Sequence, residues 1–180
     1  MSRFDFQFPQ LAGAVAVRRV LRGFALFSGL ISFSALCAEF ELPGTYQLVS
    51  ASVNYLDTGE IVPDIYGQKA KGYIMYGADG RMLAMITNDN RPKPESIEKT
   101  TDEQRIGLYR TMQAYGGTYK FDGKTVEHHV DICWDEVRCG TVVVRDIKKD
   151  GDILIYTTRP APFSANGRLS IVTLAWRKVK

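Results

Sequence analysis

The chain has 180 residues and a formal net charge of +3, from 23 Lys+Arg against 20 Asp+Glu. That excess belongs to the first 38 residues: Arg3, Arg18, Arg19, Arg22 and Asp5 lie there, so four basic and one acidic residue come away and 19 of each sign remain. A neutral remainder of about 140 residues suits one domain with one core and excludes the basic surface that nucleic-acid binding needs.

The first 38 residues read as a secretory signal peptide. Arg18, Arg19 and Arg22 precede an apolar run from Phe24 to Leu36, and Cys37-Ala38 follow. That order of basic, apolar and small residues is the pattern of a cleaved leader. The apolar run is too short to span a bilayer. Cleavage after Ala38 leaves residues 39–180 as the folded domain, exported to the periplasm or secreted, with no stable membrane insertion.

The exported chain is rich in strand signals. Thr45 to Tyr55 is a β-rich run, closed by the turn signal Asp57-Thr58-Gly59. Glu60 to Val62 is a short strand before Pro63. Gly72 to Tyr76 and Arg81 to Thr87 form a hairpin around Gly77-Ala78-Asp79-Gly80. The second of these strands is apolar on both faces, as in a strand that is covered on each side. Tyr73, Tyr76 and Met82 are adaptable apolar residues that suit a cavity wall as well as a core.

Thr101 opens the one mid-chain helix. Gln104 completes a capping box, and Asp102 and Glu103 suit the positive helix end. Ile106, Leu108, Tyr109 and Met112 form a stripe at helical spacing, which predicts core packing. Gly116-Gly117 ends the pattern.

Three consecutive strands follow: Tyr119 to Phe121, Thr125 to Cys133 and Cys139 to Ile147, the first pair joined by Asp122-Gly123. Asp150-Gly151 turns the chain into Asp152 to Thr158, and Leu169 to Val179 is the last strand. Eight or nine strands linked by short turns predict an antiparallel β-barrel with one α-helix, because closure removes exposed edges. A barrel of this size can hold one small ligand.

Both histidines lie in the central strand. Alternation puts Val126, His128, Val130 and Ile132 on one face and Glu127, His129, Asp131 and Cys133 on the other. The first face is apolar and is predicted to point inward. Cys133 and Cys139, the only cysteines after the leader, flank a short loop in an oxidising compartment and are predicted to form a disulfide. Pairing them as strand partners sets His128 opposite Val144, Val130 opposite Val142, and Glu127 opposite Arg145. The outward set has metal-binding atom types. Residues two apart on a strand are nearly ~7 Å apart, however, so they cannot converge on one ion, and no metal is assigned. The chain has no nucleophile elbow, P-loop or dinucleotide fingerprint, and no cofactor is expected.

The segments GTYQLVS, GYIMYGADGRMLAMI, AYGGTYKFDGKTVEHHVD, CGTVVVRDIKKDGDILIYTT and LAWRKV, in this order and spacing, resemble the bacterial lipocalin-like domain family. The likeness runs from Gly44 to Trp176. It implies a small barrel with an internal cavity for an apolar molecule. From the residues themselves, the expected wall is His128, Tyr73, Tyr76, Met82, Val130 and Val144, and His128 has a second reading beside it, as a core imidazole satisfied by a tyrosine or a backbone group. Two further readings stand beside the binding protein. One is an isomerase or cyclase that holds an apolar substrate against His128; the other is an interaction module with a filled core. Fold alone does not choose among them, and nothing in the sequence sets the oligomeric state.

Overall fold

A computed structural model describes residues 40–180. The predicted leader, residues 1–38, lies outside the described residues.

Ten strands run in chain order as β1 (Gly44–Tyr55), β2 (Ile61–Pro63), β3 (Lys71–Tyr76), β4 (Arg81–Thr87), β5 (Met112–Phe121), β6 (Thr125–Cys133), β7 (Val142–Asp150), β8 (Ile153–Thr158), β9 (Ala161–Pro162) and β10 (Leu169–Lys178). All the pairings are antiparallel, and β1 pairs with β10 from Tyr46↔Lys178 to Tyr55↔Ser170. That pairing closes eight strands into a barrel, with β2 and β9 as short additions on β1 and β10. Closure gives every long strand two neighbours, so the backbone donors and acceptors of the ladder are met without an open edge.

The predicted alternation sets the core. In β3 and β4 every second residue is buried: Gly72, Ile74 and Tyr76, then Met82, Ala84 and Ile86. β4 is thus covered on one side only, because Leu83 and Met85 are 44% and 47% exposed. One end of the interior is packed with aromatic rings, with an open groove outside it beside Phe40, Leu42, Tyr119 and Phe121. Tyr46, Tyr76 and Tyr119 meet edge to face, and the lead-in segment inserts Leu42, whose carbonyl accepts from the Tyr46 hydroxyl at 2.8 Å. Phe40 packs edge-on against Phe121.

The helix α1 (Asp102–Arg110) begins where expected, with the Thr101–Gln104 capping box formed in both directions. It ends at Thr111, earlier than the sequence pattern predicts, and none of its residues is buried. Ile106 and Tyr109 are about half exposed, so the stripe does not supply the core. Met112 already belongs to β5, opposite Thr87. Gly116-Gly117 is therefore a strand feature and not a helix stop. A Cβ on Gly117 would lie 1.9 Å from the His129 carbonyl oxygen, so the glycine permits a close backbone approach. At that point β5 and β6 slip by one residue: Gly117 faces Val130 and Gly116 faces Ile132, which leaves Asp131 as the extra residue of a bulge.

Candidate functional site

The bulge corrects one expectation about β6. Val126, His128 and Val130 point inward, at 0%, 0% and 3% exposure, whereas Ile132, beyond the bulge, is 62% exposed. Asp131 instead reaches Arg81 across the outer surface.

The β6–β7 register is also one residue away from the expected one. His128 faces Val143, Glu127 faces Val144 and Val126 faces Arg145. Cys133 and Cys139 form the predicted disulfide with Cα atoms 5.7 Å apart. They are not strand partners, though. Cys139 sits in a run of turns, and β7 starts only at Val142. A slip of one inverts every side chain. The predicted Glu127–Arg145 pair is therefore not formed, and Arg145 takes the inward phase of β7 with Val143 and Ile147. On the outer face, His129 Nε2 is 3.4 Å from Glu127 without a hydrogen bond.

At the end of the interior opposite Leu42 there is a cavity of about 420 Å³. Ile74, Ala84, Ile86, Leu174 and Trp176 form its apolar wall, and residues 159–164 border it. Its polar lining includes Tyr66, Gln113, Tyr115, Tyr156, Thr158 and Ser170, together with three arginines, Arg138, Arg145 and Arg159. The Tyr156 hydroxyl and the Trp176 indole nitrogen are buried with no hydrogen-bond partner. The Tyr156 hydroxyl lies near that of Tyr76 without forming a well-aligned bond.

His128 sits behind this lining. Its Nε2 is 2.7 Å from the Tyr76 hydroxyl and its Nδ1 is 3.1 Å from the Tyr115 hydroxyl. Burial, helped by the positive charge of Arg145, pushes its pKa down to about 3. The ring is therefore neutral, so one nitrogen donates to a tyrosine and the other accepts from one. Burial raises the pKa of both tyrosines, Tyr76 strongly, which keeps both hydroxyls protonated. The chain Tyr115–His128–Tyr76 runs from the cavity into the packed end.

The six wall residues expected from the sequence separate. Val144 borders the cavity, although it lies on the outward phase of β7 opposite Glu127. His128, Tyr76, Met82 and Val130 are interior, but they are packed away from the cavity surface. Tyr73 is on the outer face, 46% exposed, because Ile74 takes the inward phase of β3. Sequence reading missed Tyr115, Tyr156, Trp176 and the arginines. Leu154 and Tyr156 alternate with Ile153 and Ile155, both half-buried, and Ala175 between Leu174 and Trp176 is half-buried too, so these runs are apolar at successive positions and alternation did not single out their inward residues. Nothing in the sequence marked Arg145 as inward without the register.

Among the described residues Cys133, Glu136 and Cys139 bring ligand-type atoms within 4.8 Å of one another, but the two sulfurs are bonded together. No helix among the described residues is long and apolar enough to cross a membrane.

A closed antiparallel barrel around a lined cavity is the architecture of a small-molecule-binding barrel. The family model described as "Lipocalin-like domain" matches residues 43–179, and the chain belongs to that family. No curated protein matches it significantly.

Proposed function

We propose that this protein is exported and binds one small, largely apolar molecule in the cavity between Tyr115 and Trp176. The observation that carries this reading is the cavity itself. Its volume of about 420 Å³ falls within the range of small-molecule sites. Its wall combines apolar side chains such as Ile74, Ala84, Ile86, Leu174 and Trp176 with polar ones such as Gln113, Tyr115 and Arg145, the mixture that binding sites use. The Tyr156 hydroxyl and the Trp176 indole nitrogen have no protein partner. Buried polar groups are normally satisfied; both atoms are covered by protein, so a bound molecule meets them only when the Tyr156 and Trp176 side chains turn toward it. The Cys133–Cys139 disulfide is compatible with an oxidising compartment. Native mass spectrometry of the purified protein tests the reading. The expected result is a co-purifying molecule that is released on unfolding. A protein that carries nothing, and that gains no thermal stability from any member of an apolar compound panel, would overturn it.

The isomerase or cyclase reading draws support from the Tyr115–His128–Tyr76 chain, with Tyr115 in place of His128 as the group that meets the substrate. A hydroxyl backed by a neutral imidazole can give a proton and recover it. Under this reading Tyr115→Phe abolishes turnover of a bound substrate while binding survives.

A further inference from the structure

Among the described residues, three arginines and no carboxylate border the cavity. Three other arginines, on the strands and the loop before β10, are paired: Arg81 with Asp131, Arg168 with Asp57 and Glu60, and Arg177 with Asp152, whereas Arg91 and Arg105, outside the barrel wall, reach only backbone carbonyls. Among the described residues, Arg138, Arg145 and Arg159 form no ion pair. Arg145 uses one of its five N–H donors, to the Val144 carbonyl at 2.9 Å. Arg138 lies over the Tyr115 ring, and its Nε is buried without a partner. The disulfide loop holds it there: Gly140 and Thr141 bond to both backbone groups of Val130, and Trp134 donates to the Tyr109 carbonyl.

A charge beside an apolar wall is unfavourable unless it is matched. A neutral guest can accept from the guanidinium donors but leaves their charge unmatched, and a cationic guest is repelled. An oxyanion meets them in the planar, two-bond geometry that guanidinium groups favour.

We propose that the molecule taken by this cavity is an apolar acid: a single carboxylate held by Arg145 and Arg138, with the hydrocarbon lying against Leu174 and Trp176. This rests on the binding reading above and names its ligand class. Arg159, exposed at the rim, attracts the anion to the mouth. The positive charge of Arg145 also acts on Tyr66, Tyr76 and Tyr115, lowering each pKa against the upward effect of burial, as expected of a charge directed into the barrel.

The test is titration of the full chain at pH 7.5 with dodecanoate, dodecanol and dodecyltrimethylammonium below their aggregation limits. Isothermal calorimetry is the readout. Dodecanoate is expected to bind at least tenfold more tightly than dodecanol, and the ammonium compound most weakly. Arg145→Gln and Arg138→Gln should each cost dodecanoate about tenfold while leaving dodecanol within about twofold. Equal affinity for acid and alcohol in the wild-type protein would overturn the ligand class while the binding reading stands. Failure of all three probes would count against both. The wild-type comparison holds even if a variant fails to fold.

Discussion

The two ends of the barrel interior are built from the same alternating strands but to opposite specifications. At the closed end Leu42, Tyr46, Tyr76 and Val126 are all buried in the apolar cluster, and the Tyr46 hydroxyl is bonded to the Leu42 carbonyl. At the open end the wall stops short of filling the space, the Tyr156 hydroxyl and the Trp176 indole nitrogen lack partners, and arginines stand beside the aromatic rings of Tyr115, Tyr156 and Trp176. Packing density is what stabilises a small domain. The loosely filled, charged end therefore contributes less to folding, and the stability of the closed end is what tolerates it. His128 spans the boundary, with one nitrogen on each side.

One substitution made at both ends measures this difference most directly. Leu42→Ala should destabilise by about 3–5 kcal/mol, because it opens a void in a packed region. Leu174→Ala enlarges a cavity that already exists and should stay near the lower limit for such changes, about 2 kcal/mol. Urea unfolding of both variants checks this. Equal losses would mean that the two ends are packed alike and that the cavity collapses in solution.

His128→Phe should have the next largest effect. It keeps the bulk but leaves the Tyr76 and Tyr115 hydroxyls without their partner, at about 1–3 kcal/mol for each unsatisfied group. Adding Tyr76→Phe and Tyr115→Phe should recover much of that loss. The same residue sets an acid limit. Its pKa is lower folded than unfolded, so below pH 6.5 the unfolded chain takes up a proton that the folded one refuses. Stability is full above that pH and falls by about 1.4 kcal/mol per pH unit toward pH 3. Between pH 6.5 and 5 this slope should be present in the wild type and absent in His128→Phe. A slope unchanged by the substitution would show that His128 is solvated.

Both the success and the failure of sequence reading here come from alternation. Val126, His128 and Val130 announce their inward phase because apolar residues recur at every second position. The barrel follows from the number of such runs and their short turns. Alternation carries no mark for a bulge. Ile132 continues the apolar pattern past Asp131, although the ladder has shifted by one. Cys133 and Cys139 invited treatment as strand partners, and this moved β7 by one residue and hid Arg145. Gly116-Gly117 satisfied the rule for a helix stop while serving a close approach between strands. Each error is a local pattern overridden by a contact with a distant strand. The cavity suffered most, because it is the sum of such contacts.

The disulfide belongs to the open end. Replacing both cysteines with serine frees a short loop, and closing so short a loop is worth about 2 kcal/mol. The loss should be smaller than that of Leu42→Ala. It should also weaken dodecanoate binding, because the loop holds Arg138 over Tyr115. A loss of stability with unchanged affinity would detach Arg138 from the site.

Arg145→Gln should produce the smallest change in stability, under about 1 kcal/mol. The guanidinium contributes one hydrogen bond, to the neighbouring Val144 carbonyl, and glutamine relieves the interior of a charge. The informative readout is on the other side of the boundary. Burial is the larger cause of the low His128 pKa and persists in the variant, but the contribution from Arg145 is removed. The His128 titration, followed by imidazole NMR, should therefore move upward while staying well below 6.5. With the folded pKa nearer the unfolded one, the acid window narrows from its lower edge. An outward Arg145, as the strand-partner reading of the cysteines required, would lie beside Glu127 in water and be screened from the interior. In that case the His128 titration would not move. A fixed pKa would thus refute the inward charge, and with it the contrast between the two ends.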